Sequence, residues 1–196
     1  MSVETAIDAV DLACAGVRLE PLAEAHRSGL REAAEDPDIW THMPYEARGP
    51  AFDRWLDASV AASGAGREAV WAVMLDGAPV GSTRFLAIEP AHKRLEIGWT
   101  WYARQTWGTN VNSACKLMLL CYAFEELGLE KLVSTVFEGN PASRRALEKV
   151  GYQTVGIYRH HEFRHNRWWD VWIGELLRED WLARAEGRAG SGRSST

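Results

Sequence analysis

The stretch that decides the fold reads LEIGWTWYARQTWGTNVNSACKLMLLCYAFEELG over residues 95–128 and KLVSTVFEGNPASRRALEKVGY over residues 131–152. It reads as strand, polar turn, long apolar helix, strand and short helix. In the strand over 94–102, alternation puts Leu95, Ile97, Trp99 and Trp101 on one face. Glu96, Gly98, Thr100 and Tyr102 share the other, so a carboxylate stands in mid-strand on a mixed face. The helix expected over 110–127 is apolar in two rows: Val111, Cys115, Met118 and Tyr122, then Leu117, Leu120, Cys121 and Phe124. So wide an apolar surface is packed on both sides, as against a sheet. Asn140 and Pro141 open the second helix as N-cap and first-turn residue, and Gly128 and Gly151 close the two helices.

Between strand and long helix lies Gln105-Thr106-Trp107-Gly108-Thr109-Asn110. A turn that feeds a helix N-terminus presents free backbone N–H groups to an anion, which suits a phosphate. It lacks the Gly-Lys-Ser/Thr ending of a Walker loop and the glycines of a dinucleotide fingerprint, so an ordinary strand-to-helix turn competes with that reading. Glu96 can act as general base or substrate anchor; the competing reading is an ion pair with Arg84 on the neighbouring strand. Asn140 and Ser143 can cap their helix, contact a ligand, or do both.

Working outward, residues 1–15 form a loosely held arm, 16–186 a single domain, and the Gly/Ser/Arg-rich 187–196 a disordered tail. A short strand over 17–22 precedes helices over 23–35 and 52–62. The loop between them holds Trp40, His42 and Met43, either a binding wall or a cap on the core. Asp76-Gly77 turns a hairpin of strands over 69–75 and 79–88. A closing hairpin, 152–158 and 167–175, is joined by a charged loop. The order β, α, α, three strands, α, β, α, hairpin makes an α/β (α+β) layer fold with an antiparallel first half.

Composition excludes several classes. With 196 residues, 46% hydrophobic and a net charge of -5, the chain has room for a sizeable core and no basic footprint for nucleic acid. No apolar run nears the roughly 20 residues of a membrane helix. The N-terminus lacks a signal-peptide pattern. Cys14, Cys115 and Cys121 have neither metal spacing nor a disulfide framework, as expected of thiols in a reducing cytoplasm. His160, His161, Glu162 and His165 are read as a charged hairpin tip or a wall near the acceptor, since adjacent strand residues point to opposite faces; no metal is expected.

Taken together, Glu96-Ile97-Gly98-Trp99-Thr100-Trp101, Trp107-Gly108-Thr109-Asn110-Val111-Asn112 and Ala123-Phe124-Glu125-x-Leu127-Gly128 resemble the cofactor core of GNAT N-acetyltransferases. The segment from Asn140-Pro141-x-Ser143 to Gly151-Tyr152 is similar to the family's next helix, and the closing strands are similar to its RimJ/RimL-type branch of ribosomal-protein N-acetyltransferases. The resemblance covers residues 17–181. It implies a mostly antiparallel central sheet flanked by helices, with a splayed central strand pair, and acetyl-CoA as co-substrate. The pyrophosphate is then expected on the backbone of Gln105, Trp107, Gly108, Thr109 and Asn110, and pantetheine along the edge at Trp101 and Tyr102. Asn140 and Ser143 flank the cofactor arm, a backbone N–H near Trp101 meets the acetyl oxygen, and Glu96 takes the proton of a primary amine, directly or through water. The acceptor is a protein N-terminus or a small molecule, and a homodimer is one assembly open to the chain. Two positions depart from the family pattern. Asn110 stands where a small residue is common, and Leu147 where many members carry a tyrosine proposed to protonate the leaving thiolate. These leave a non-catalytic acyl-CoA sensor or an interaction domain as the alternative, and Tyr102, Tyr152 or water as substitute acids.

Overall fold

The computed structural model describes residues 7–164 and 166–191. The elements are β1 (Leu12–Cys14), β2 (Val17–Pro21), α1 (Arg27–Ala33), α2 (Pro50–Gly64), β3 (Ala69–Leu75), β4 (Ala78–Glu89), β5 (Arg94–Tyr102), α3 (Val111–Cys121), β6 (Lys131–Phe137), α4 (Pro141–Val150), β7 (Gln153–Arg164), β8 (Arg167–Leu177) and α5 (Arg178–Ser191). A π-helical turn, Tyr122–Glu126, continues α3. Asp76 and Gly77 both take positive φ, 49° and 80°, as a two-residue hairpin turn between β3 and β4 requires. Asn140 caps α4 by accepting a 3.0 Å bond from Ser143 N, and Gly151 ends that helix at φ 116°.

One eight-stranded sheet runs in the order β1-β2-β3-β4-β5-β6-β8-β7. Its neighbours pair antiparallel except β5 and β6, which are parallel and joined by the α3 crossover. The sheet is therefore mixed, mostly antiparallel and flanked by helices. Its two faces bury separate cores. On the first, Trp71, Phe85, Leu95 and Ile97 pack with α3 residues such as Val111 and Leu119 and with Leu147 of α4. On the second, Val70 and Ala72 pack with Leu30 of α1 and with Phe52 and Leu56 of α2.

Strand β5 does not keep one alternation. Its register against β4 slips between Ser82↔Trp101 and Arg84↔Gly98, and Trp99 takes φ 49°. This bulge inserts an extra residue and flips the side-chain pattern. Leu95 and Ile97 lie in the α3-side core, whereas Trp101 lies in the opposite core beside Trp40 and Trp55. The single apolar face expected from alternation is corrected accordingly.

The β5–β6 pairing is short: Arg94↔Lys131, Leu95↔Leu132 and Glu96↔Val133. Beyond it both strands continue and part, leaving a fork. Two side-chain ties hold its base in place of ladder bonds. Ser134 Oγ donates to Ile97 O at 2.9 Å, and Thr135 donates from Oγ1 at 2.7 Å and from N at 3.2 Å to Glu96 Oε1.

The ends of the chain differ from expectation. Residues 7–15 are not a loose arm: Ile7 is buried, Trp71 Nε1 donates to Val10 O at 2.7 Å, and Tyr122 Oη donates to Asp8 O at 2.9 Å. Residues 1–6 lie outside the described residues. Helix α5 runs to Ser191, through part of the stretch expected as a disordered tail; residues 192–196 lie outside the described residues. The charged loop expected after Tyr158 is strand up to Arg164, interrupted by a bulge where Asp170 Oδ1 accepts from His160 N at 2.8 Å. Among the described residues no helix is long and apolar enough to cross a membrane.

Candidate active site

The fork opens into a cleft of about 140 Å³. Its sides are Ile97, Gly98, Trp99 and Thr100 of β5 and the 134–137 stretch of β6. From the α3 side it is lined by Lys116, Asn140, Ser143 and Leu147; from the other by His42, Met43 and Pro44, with Glu162 and Arg164 of β7. The cleft thus reaches both faces of the sheet through the gap where the β5–β6 ladder stops.

Glu96 sits at the base of the fork and does not line the cleft itself. Its Oε1 takes both bonds from Thr135, and its Oε2 has no partner among the described residues. The pairing with Arg84 considered from sequence is absent. Arg84 is buried, donates to Glu68 Oε2 at 2.7 Å and Ser59 Oγ at 3.0 Å, and lies 5.0 Å over the Trp99 ring.

The 104–110 turn follows β5 directly. Gly108 takes φ 76°, and Gln105, Trp107 and Asn110 are exposed on it. Thr109 Oγ1 donates to Thr106 O at 2.6 Å and accepts from Val111 N at 3.3 Å, closing the turn from inside. The amides of Gly108, Asn110, Asn112 and Ser113 have no partner among the described residues. That is the donor array an anion needs at a helix start. The Asn110 side chain does not fill it, because its Nδ2 is turned to Ala15 O at 3.1 Å, in the β1–β2 turn. The Arg104 side chain is committed to Asp38 and to the face of Trp107.

Trp101 and Tyr102 diverge. The Trp101 side chain is buried under α2, so only its backbone stands in the strand beside the fork. Tyr102 points to α3, where its hydroxyl donates to Asn112 Oδ1 at 3.3 Å. Ala103 N donates to Val80 O on β4, so alternation turns the Tyr102 backbone toward the open edge, where its carbonyl accepts from Trp107 Nε1 at 3.0 Å. The structure therefore brings Asn140 and Ser143 into the cleft, places Glu96 just below it, sets the turn residues beyond it, and removes the Trp101 indole.

Neither tyrosine weighed as an acid lines the cleft. Burial holds the Tyr102 phenol well above its ordinary range and raises Tyr152, which lies beside Ser134 and Glu96. Burial also pushes the neighbouring Cys115 thiol up to about 12.

The sequence marks His42, Met43 and Glu162 only as members of candidate walls and gives Arg164 no local signal. Lys116 is half-buried, and burial pushes its amine down to about 8. His42 lies 5.9 Å from the Phe137 ring; its Nδ1 is buried without a hydrogen-bond partner among the described residues, and burial lowers its pKa. Arg164 donates to Met43 O at 2.5 Å, pairs with Glu162 and covers Phe137, pinning the 41–45 loop to β7. The helical period of α3 marks Lys116 as facing with Asn112, and this was the one signal available for it. Of the 40–45 loop, Trp40 proves to be core, with its indole on Ala34 O at 2.8 Å, while Met43 lines the cleft. Among the described residues no group of three or more His, Cys, Asp or Glu could hold a metal; His165 lies outside them.

The acetyltransferase (GNAT) domain model matches residues 17–153, and the chain belongs to that family. It is similar to YdaF of Bacillus subtilis (strain 168), provisionally named a ribosomal N-acetyltransferase, at 28% identity over 56% of this chain and 59% of that one. The chain spans a little over half the length of the curated relatives it matches. A GCN5-related N-acetyltransferase structure from Brucella melitensis superposes with TM-score 0.83 at 25% identity, over 91% of this chain and 83% of the other. A provisionally assigned GNAT-family acetyltransferase from Chromobacterium violaceum ATCC 12472 gives TM-score 0.79 at 27% identity, over 92% and 93%.

Proposed function

We propose that the protein transfers the acetyl group of acetyl-CoA directly to a primary amine at the fork. The observation that carries this reading is the through-cleft at the end of the β5–β6 ladder. One opening faces the α3 and α4 residues, the other the 41–45 loop and β7. Two substrates can enter from opposite faces and meet without a covalent enzyme intermediate.

In this reading the free amides of the 104–110 turn and of the first turn of α3 hold the pyrophosphate. The open edge of β5 pairs with pantetheine as an added strand would, and Asn140 and Ser143 flank that arm. At about 140 Å³ the cleft is well below the roughly 300–1,000 Å³ of a site that encloses a whole small molecule. It accommodates the reacting ends alone, leaving the rest of the acceptor on the open face. A protein N-terminus, as in the RimJ/RimL-type branch, and the terminus of a small amine both satisfy that limit.

An amine with an ordinary pKa near 10 is largely protonated at neutral pH and must lose a proton before attack. Glu96 Oε2 is the unpartnered carboxylate oxygen at the fork base. Because Glu96 lies below the cleft lining, it takes the proton through a water. Incubation with acetyl-CoA and a panel of peptide N-termini and small amines, read by release of free thiol, tests the reading. Thiol release that depends on an amine supports it. Acetyl-CoA binding without release to any amine supports the sensor instead.

A further inference from the structure

Leu147 gives the cleft no hydroxyl at its place on α4, yet the same cleft contains a proton donor on another helix. Lys116 lies on α3, one helical turn after Asn112, whose side chain meets Tyr102 of β5; this row of α3 therefore faces the fork strand. Its side chain lines the cleft with Gly98, Thr100, Ser143 and Leu147, whereas no residue of the 104–110 turn does. The amine thus belongs to the fork, where the thioester must lie for an amine to reach it from the other face. It is not part of the phosphate-binding turn. No carboxylate or hydrogen-bond partner holds Lys116 among the described residues.

We infer that the Lys116 ammonium protonates the departing CoA thiolate. The inference rests on the acetyltransferase reading above. The acceptor nitrogen forms the C–N bond to the acetyl carbon, and its proton goes by way of water to Glu96. The C–S bond breaks with its electron pair on sulfur. Lys116 Nζ gives a proton to that sulfur, becomes the neutral amine, and is reprotonated from solvent. Of the other ionisable side chains that line the cleft, Glu162 is paired with Arg164. Arg164 is held by Glu162 and Met43 and does not release its proton. Burial lowers the His42 pKa and so disfavours the charged form that would have to give the proton. The charged and titratable groups around Lys116 are Cys115 on its own helix, Tyr102 on β5, Glu96 at the fork base, His42 in the loop, and Glu162 with Arg164 on β7. The residues that β6 and α4 contribute to the lining are not titratable. An amine pushed down to about 8 matches a thiol with an ordinary pKa near 8.5, so the proton transfer is close to balanced.

The test is a pH titration of CoA bound to the protein, followed by the ultraviolet absorbance of its thiolate, in wild type, Lys116→Met and Lys116→Arg. Acetyl-CoA affinity by calorimetry and the pH profile of transfer are measured alongside. In wild type the bound thiol is expected to ionise about one pH unit or more below its value in Lys116→Met, as beside an opposite charge. Lys116→Met keeps acetyl-CoA affinity within a few-fold, slows transfer on the order of 10²-fold, and loses the fall in rate above pH 8. Lys116→Arg retains the lowered thiol pKa and also lacks that alkaline fall. The same thiol pKa in wild type and Lys116→Met overturns the inference, and so does mass-spectrometric acetylation of Lys116 itself, which would make it a nucleophile. Wild-type protein that binds neither CoA nor acetyl-CoA overturns the acetyltransferase reading, a separate result from normal turnover by Lys116→Met, which overturns the inference alone.

Discussion

The two openings of the cleft are built differently. On the α3 side, Lys116, Asn140, Ser143 and Leu147 sit on regular helices whose starts are written in the local sequence. On the other side, His42, Met43, Glu162 and Arg164 come from a loop and a strand brought together across the chain; the Arg164–Met43 bond joins residues 121 positions apart. The first wall can serve a co-substrate that never changes. The second can vary with the acceptor without disturbing the helices, because loops tolerate substitution better than the elements they connect. In the proposed function the first wall serves the cofactor and the second the acceptor, and each wall can be broken separately.

The largest separation is expected from Glu96→Gln. The amide keeps an oxygen for Thr135, so the fork stays tied, but it cannot take a proton. Steady-state kinetics should show kcat lowered by about 10²-fold, with acetyl-CoA affinity by calorimetry within twofold. A matching loss of affinity would mean that Glu96 only shapes the fork. Gly108→Val comes next. At φ 76° a β-branched side chain costs on the order of 1–2 kcal/mol, so the acetyl-CoA Kd should rise about tenfold while the acceptor KM stays put.

Arg164→Met removes the bond to Met43 O and frees the 41–45 loop. One hydrogen bond of about 1 kcal/mol corresponds to about a fivefold rise in acceptor KM, with acetyl-CoA binding unchanged. A change in acetyl-CoA Kd instead would erase the division between the walls. The smallest effect concerns His42, whose pKa is lowered by burial in the folded state. Above its unfolded value, about 6.5, neither state gains a proton and the residue has no pH-dependent effect. As pH falls below that value, the unfolded chain binds a proton that the folded chain resists, so stability is lost. Urea melts from pH 7 to 5 should show a steeper loss for wild type than for His42→Gln.

The same contrast explains what the sequence reveals. Strands Ala69–Leu75, Arg94–Tyr102 and Lys131–Phe137 and the Asn140 cap follow from alternation, turn chemistry and capping, which are local rules. The bulge at Trp99 breaks such a rule. Nothing local announces it, and it moves Trp101 from the expected cofactor edge into the second core. The order of residues 7–15 depends on Trp71 and Tyr122, 61 and 114 positions from the carbonyls they bond. Arg164 escaped for the same reason, and His42 and Glu162 were legible only as members of a candidate wall, since their contacts exist only after distant strands and loops meet. Lys116 was readable in part. Helical spacing places it in the Asn112 row, but only the parting of β5 and β6 shows that the row faces a cleft.

In the proposed function the fork and the turn beside it receive acetyl-CoA. Thermal unfolding with and without acetyl-CoA, with ATP and NAD as controls, tests it most directly. At about 100 times its Kd a ligand adds roughly 2.7 kcal/mol, a rise of several degrees for a domain of this size. That rise is expected with acetyl-CoA, and a much smaller one with either control. No shift at millimolar acetyl-CoA, or an equal shift with ATP, would contradict it.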